Sequence, residues 1–281
     1  MSTQYSSITK ILKEYGIRPD KSLGQNFLTD PTIIKKITGI AGIQKQDTIL
    51  EIGAGIGHLT IELAANSSRV VAVELDHRLI PILREHISGF DNVEIIPGDI
   101  LELDLKQLSL PHRYLVVANI PYYITSILIR HLSETSHPPE SMVLTIQREV
   151  AERICQPPGK LNLLAISVQV YGEPGIRAHI PAGAFYPAPD IDSSVIRIIR
   201  HPEPLIPEEH LKLFFRLVKA GFSQKRKTLR NSISGGMGWE PSATGKILND
   251  SGIDPSRRAE TLSIQEWYQI TLFTKNYLGI V

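Results

Sequence analysis

The chain has 281 residues, 42% of them hydrophobic, and a formal net charge of +1, so any surface for a polyanion must be a local patch balanced by acids elsewhere. One cysteine, Cys155, excludes a disulfide framework and a cysteine-cluster zinc or iron–sulfur centre. No apolar run approaches the roughly 18 residues of a membrane span, and the polar stretch Met1 to Thr9 has no apolar h-region, so a cytoplasmic protein with no membrane association is expected.

In chain order, Asp30-Pro31 places a capping acid before a proline and opens a helix. Thr48 to Ile52 is an apolar, β-branched strand that runs into glycines, and Leu59 to Ala65 follows as helix. Arg69 to Glu74 is a second strand, followed by helix around Leu79 to Ile87. Asn92 to Ile96, Tyr114 to Ala118 and Ser141 to Ile146 make three more strands, with a helix from Gln147 to about Ile154. Leu163 to Tyr171 and Ser194 to Ile199 are further strand candidates. Strands alternating with helices imply βαβ units and a largely parallel, doubly wound α/β sheet. Three prolines within His201 to Pro207 mark a linker, and the patterns beyond it are helical. Glu208 to Gly221 is amphipathic, Asp254-Pro255 reads as a capped helix start, and Ser263 to Glu266 is a capping box. The expected division is an α/β domain over residues 1–203 and a small all-helical domain over residues 204–281.

The first strand–helix turn reads Glu51-Ile-Gly53-Ala-Gly55-Ile-Gly57. Glycines let a backbone approach a ligand closely, and the helix start beyond them leaves free N–H groups. Glu74 ends the next strand seventeen residues beyond Gly57, where an acid can accept both hydroxyls of a ribose. Dinucleotide enzymes favour G-x-G-x-x-G around a pyrophosphate. Here the spacing is G-x-G-x-G after an acid, Glu51, and a carboxylate beside the pocket suits a cationic cofactor without phosphate. S-adenosylmethionine has that chemistry, and Asp99 at the end of the third strand is placed to accept from its adenine amine. A nicotinamide dehydrogenase is the more distant reading.

The fourth strand ends in Asn119-Ile120-Pro121-Tyr122. It resembles the Asn/Asp-Pro-Pro-Tyr tetrapeptide of enzymes that methylate exocyclic amines of nucleobases. The residue types suit that chemistry, because an adenine amine is a poor nucleophile with its lone pair delocalised into the ring. Acceptance of its hydrogens by the Asn119 side-chain carbonyl and the Ile120 backbone carbonyl favours a pyramidal nitrogen. Tyr122 offers a face for stacking, and Pro121 stiffens the turn.

Upstream, Lys21-Ser-Leu-Gly-Gln-Asn-Phe-Leu28, and downstream, Ala184-Phe185-Tyr-Pro-Ala-Pro-Asp-Ile-Asp-Ser-Ser-Val195, are similar to segments of the ribosomal RNA adenine dimethyltransferase family. That resemblance implies a Rossmann-like class I methyltransferase fold, with the Lys21–Leu28 segment over the cofactor. It implies cofactor contacts by Asn26, Leu28, Gly53, Glu74, Asp99 and Asn119, and Phe185 as a second aromatic on the extruded base. Tyr123 departs from the pattern, since many members carry Asn there. Lys219 to Asn231 contains five cations and no acid, and with Arg258-Ala-Glu-Thr-Leu-Ser263 it resembles the small-subunit branch of the family. That branch dimethylates two adjacent adenosines near the 3′ end of small-subunit rRNA. The position of this basic run in a second domain favours rRNA phosphate contacts by Lys225, Arg226, Lys227 and Arg230; a 30S assembly intermediate as partner, a monomer and no metal are expected. The rival readings are a large-subunit enzyme of the erythromycin-resistance type and a non-catalytic RNA-binding assembly factor. The histidines show no zinc-deaminase pairing.

Overall fold

The computed structural model describes residues 8–278. The elements are α1 (Ile8–Glu14), β1 (Phe27–Leu28), α2 (Pro31–Ala41), β2 (Thr48–Ile52), α3 (His58–Asn66), β3 (Arg69–Glu74), α4 (Ile80–His86), β4 (Val93–Pro97), β5 (Leu115–Asn119), α5 (Thr125–Glu134), β6 (Ser141–Gln147) and α6 (Arg148–Ile154). They continue with α7 (Leu163–Gln169), β7 (Gly172–Ile180), β8 (Phe185–Tyr186), β9 (Ser193–Arg200), α8 (Glu208–Phe222), α9 (Leu229–Met237), α10 (Pro241–Asp250) and α11 (Ile264–Leu278). The contacts divide into two compact units: residues up to Ala151 together with Pro174–Arg200, and Glu152–Glu173 together with His201 onward.

In the first unit, seven strands lie in the order β4-β3-β2-β5-β6-β9-β7. The run from β4 to β6 is parallel, and β9 returns antiparallel to β6. All five residues of β2 are buried, as are Val70 to Glu74 of β3, which is what a parallel sheet covered on both faces requires. Ile34 and Ile37 of α2 and Leu59, Ile61 and Leu63 of α3 pack on Ile49, Val70, Ala72, Val117 and Val143. Each such aliphatic side chain contributes about 1.5–3 kcal/mol by leaving water. Asp30 caps α2, its side chain accepting from Thr32 N–H at 2.8 Å ahead of Pro31. The strand order reverses at β2, which pairs with β3 on one side and β5 on the other. Loops leaving a parallel sheet at such a switch point part in opposite directions and open a crevice at the carboxyl ends of the strands.

The second unit is helical. Phe214, Leu217 and Val218 of α8 pack with Leu229 and Ile233 of α9, Leu248 of α10 and Trp267 of α11. A Cβ built on Gly221 would lie 2.3 Å from the Trp267 ring, so glycine there is what allows α8 and α11 to approach. The capping box at α11 forms as expected, with Ser263 N–H donating to Glu266 Oε2 at 2.7 Å and Glu266 N–H to Ser263 Oγ at 3.2 Å.

Three expectations are corrected. The stretch Leu163 to Tyr171 holds the helix α7 (Leu163–Gln169), not a strand: Asn162 Oδ1 accepts from Ala165 N–H, and Leu161, Ala165, Ile166 and Val170 bury a face of helical spacing among the second unit's apolar residues. A short apolar run does not by itself distinguish the two periods. That helix also moves Glu152–Glu173 into the second unit, so the linear division at 203/204 misses a segment. Asp254-Pro255 opens a turn rather than a helix, the Asp254 carboxylate accepting from Ser256 N–H and Oγ. Strand β7 went unforeseen because Gly172, Pro174 and Gly175 interrupt it; it lies at the edge of the sheet, where a residue without an N–H is tolerated.

Candidate active site

A cavity of about 350 Å³ opens at the ends of β2, β3 and β5, the place that the strand order dictates. Gly53, Gly55 and Gly57 all have left-handed φ, at 74°, 60° and 91°. Their tasks differ. Gly53 and Gly55 line the cavity, whereas a side chain on Gly57 would meet Leu83 Cδ1 at 2.8 Å, so the third glycine serves the packing of α3 on α4.

Glu74 is 6% exposed and lines the cavity. Its Oε2 accepts from Gly55 N–H at 2.6 Å and its Oε1 from Asp76 N–H at 2.8 Å. Burial raises the carboxyl pKa, and the two backbone donors oppose that shift. Fixed this way, each oxygen retains a lone pair for a ligand hydroxyl. Asp99 also lines the cavity, with Oδ1 held by Leu101 N–H at 2.9 Å. Glycine backbone, an anchored carboxylate and a second acid at adjacent strand ends suit a nucleoside with a cationic tail.

Glu51 does not take the part that its position before the glycines suggested. It does not line the cavity, is 1% exposed, and burial pushes its carboxyl from about 4.5 up to about 8. The nearby Thr60 hydroxyl opposes the shift, and the charge of Glu74 adds to it. Glu51 therefore keeps its proton to a higher pH than an ordinary carboxyl, and it stands outside the cavity. His58, which does line the cavity, is neutral, its pKa lowered to about 4 by burial and by His86, on whose ring it stacks.

The polar Lys21–Leu28 stretch acquires a role that its periodicity did not give. Residues Leu23 to Leu28 line the cavity, and the segment is pinned at both ends. Gln25 Nε2 donates to Asp76 Oδ2 at 2.7 Å, and Arg78 grips the same carboxylate at 2.7 Å. Phe27 and Leu28 pair as β1 with β8. Gln25 and Asp76 are positioning residues that the sequence alone did not single out, because their pairing spans fifty-one residues.

Asn119, Ile120, Pro121 and Tyr122 all reach the cavity from the end of β5. Asn119 Nδ2 donates to the Asn26 carbonyl at 2.9 Å, which fixes which face of the amide is left for a substrate. Ile120 N–H donates to Thr145 O at 3.2 Å and holds that peptide plane. Tyr122 is half-buried, its hydroxyl bonded to Ser193 Oγ at 2.8 Å, and burial raises its pKa. Phe185 is not brought to this group. Pairing of Leu28 with Phe185 across β1 and β8 buries it to 4% exposure in the first unit's core, away from the cavity lining.

In the second unit, Lys225, Arg226, Lys227 and Arg230 are all exposed. The first three lie in the turn between α8 and α9 rather than on a helix face, and none of the four makes an ion pair among the described residues. Lys212, Arg216 and Lys219, spaced by four and three, are exposed on α8 just before that turn. Helical phase brings them together, a signal available in the sequence but weaker than the basic run.

Residues 17–274 match the family model for ribosomal RNA adenine dimethylase. The chain belongs to that family. It is 41% identical over 265 residues to a Ribosomal RNA small subunit methyltransferase A of Dehalococcoides mccartyi, covering 94% of this chain and 91% of that one. It is also 41% identical to the protein of that name from Enterococcus faecalis, with 95% and 94% covered. Among solved structures, the 23S rRNA methyltransferase ErmE is 26% identical with a TM-score of 0.70, over 88% of this chain and 99% of that one. A dimethyladenosine transferase from Plasmodium falciparum, 24% identical, shares the fold with a TM-score of 0.77 over 90% and 98%. The chain is thus an rRNA adenine dimethyltransferase that uses S-adenosylmethionine, and its likeness is greater to the small-subunit enzymes than to ErmE.

The two buried acids should separate experimentally. Because the folded pKa of Glu51 is raised, its stabilisation is complete below about 4.5 and is lost as pH rises through about 8. Glu51→Gln, which cannot ionise, should gain melting temperature relative to wild type between about pH 5 and about pH 9. Its S-adenosylmethionine affinity, measured by calorimetry, should be unchanged. Glu74→Ala should weaken that affinity by about tenfold or more, the scale of lost hydrogen bonds to a charged group.

Proposed function

We propose that this enzyme transfers two methyl groups to N6 of each of two adjacent adenosines near the 3′ end of 16S rRNA. Its substrate would be a small-subunit assembly intermediate, and it would act in the cytoplasm as a monomer contributing to rRNA processing and ribosome biogenesis. The observation that carries the chemistry is the Asn119 amide, held from behind by the Asn26 carbonyl at the mouth of a nucleoside-sized cavity.

With its N–H engaged, Asn119 offers Oδ1 to one amine hydrogen, and the backbone carbonyl of Ile120 accepts the other. Both acceptors favour the pyramidal amine, whose lone pair then projects from the ring. S-adenosylmethionine, when bound, supplies an electrophilic methyl group. Gly53, Gly55 and Glu74 would hold its nucleoside, and Asp99 its adenine amine. Tyr122 would stack on the extruded base, its ring held still by Ser193. The proton departs once the nitrogen is cationic, so no strong base is required. Orientation of this kind supplies about 7–11 kcal/mol in favourable cases. After the first transfer one hydrogen remains on the amine, and a single acceptor suffices to orient it.

Exposed cations without acidic partners suit a phosphate backbone, which sets register and carries no sequence code. Lys225, Arg226, Lys227 and Arg230 would hold the rRNA, and Lys212, Arg216 and Lys219 extend the basic surface.

Mass-spectrometric mapping of rRNA methylation, with unmethylated subunits as substrate, tests the assignment. Dimethyladenosine at two adjacent 16S positions is expected, and methylation confined to 23S rRNA would contradict it. Replacing Lys225, Arg226 and Lys227 together by Gln should flatten the logarithmic salt dependence of small-subunit binding by about 2–3. An unchanged slope in a binding titration would remove these residues from the RNA contact.

A further inference from the structure

Three of the large apolar side chains that the first unit leaves in water stand at the cavity itself, Leu75, Tyr123 and Ile127, and the last two are the most exposed. Tyr123 is 57% exposed and Ile127 60% exposed, and both line it. Tyr122, the preceding residue, is half-buried and tied by its hydroxyl to Ser193. Tyr122 and Tyr123 are successive residues of a 3₁₀ turn, Tyr122–Ile124, which turns by about 120° per residue. Their side chains therefore leave the turn in different directions. Ile127, four residues beyond Tyr123 in the first turn of α5, lies on Tyr123's side of the element. A Cβ built on Gly24 would be 3.4 Å from Tyr123 Cδ1 and 3.2 Å from Pro121 Cβ, so the space beside the Tyr123 ring is bordered by a residue that has no side chain. Gly24 has φ +62°, a conformation that disfavours any replacement that would fill this space.

An aromatic ring more than half exposed at the cavity, with a glycine beside it, is free to stack on a base, and the occupant follows from covalent geometry. A base extruded into the cavity brings its neighbour to the cavity mouth, because a single phosphate joins the two nucleotides. We propose that Tyr123, extended by Ile127, is a second base platform that holds the nucleotide adjoining the reacting adenosine while Tyr122 holds the reacting base itself. This rests on the base-methylation reading above. With two adjacent adenosines as substrate, each would occupy the platform while the other reacts, and the chain would exchange them between two neighbouring rings without release of the RNA.

Steady-state kinetics on unmethylated small-subunit particles test this, alongside calorimetry with S-adenosylmethionine. Tyr123→Ala should raise KM for the particles by about tenfold or more, the scale of one lost base–aromatic stack, with the loss falling on KM rather than kcat. Tyr123→Phe, which keeps the ring, should restore the wild-type KM, and cofactor affinity should be the same in all three proteins. An unchanged KM in Tyr123→Ala would overturn the proposal while leaving methylation by the wild type intact. A fall in cofactor affinity that accounts for the whole loss would also overturn it, by making the ring a wall of the cofactor chamber. If the wild type itself transfers no methyl to the particles, the function fails, and the platform fails with it.

Discussion

The site depends on one hydrogen bond, from the Asn119 side-chain amide to the Asn26 carbonyl. It joins the end of a central parallel strand to a segment ninety-three residues earlier, and it decides which atom of Asn119 faces the cavity. A free asparagine can flip its amide by rotation about its last torsion and present either donor or acceptor. With the nitrogen committed to a carbonyl, the oxygen is what remains for a substrate amine. The Lys21–Leu28 segment must therefore be held as firmly as the strand. Gln25 on Asp76, Arg78 on the same carboxylate, and the β1–β8 pairing supply that restraint.

Two acids on neighbouring strands of the sheet show how burial assigns roles. Glu74 is buried yet has a backbone donor on each oxygen and opens to the cavity, so it can meet a ligand's hydroxyls. Glu51, one strand away, has no hydrogen-bond donor on either oxygen among the described residues and no access to the cavity. A charge there would lose its hydration without a compensating ion, and the carboxyl keeps its proton instead. The same low-dielectric surroundings leave His58 neutral. Glu74 and Asp99 are the acids that line the cavity.

Much of this was legible in the sequence because the informative residues are local. Continuous β-branched runs predicted β2, β3 and β5, and the glycine turn and Glu74 singled out residues that line one cavity. The tetrapeptide at Asn119 was singled out by its residue types, and all four of its residues line the cavity. What stayed hidden depended on partners remote in sequence. Glu51 reads as an anion until its burial is known, and Phe185 reads as a base-stacking aromatic until β1 and β8 cover it. The Leu163 run and the Gly- and Pro-interrupted β7 were misread or missed because tertiary packing, not local pattern, decides them.

The most direct test of the Asn119 arrangement is single-turnover methyl transfer by Asn119→Ala, with saturating S-adenosylmethionine and unmethylated small-subunit particles. A fall in rate of at least about a hundredfold, the scale of removing one preorganised hydrogen-bonding group, is expected with the melting temperature near that of wild type. Transfer at close to the wild-type rate would contradict the role of the amide oxygen and the hydrogen-bond mechanism built on it.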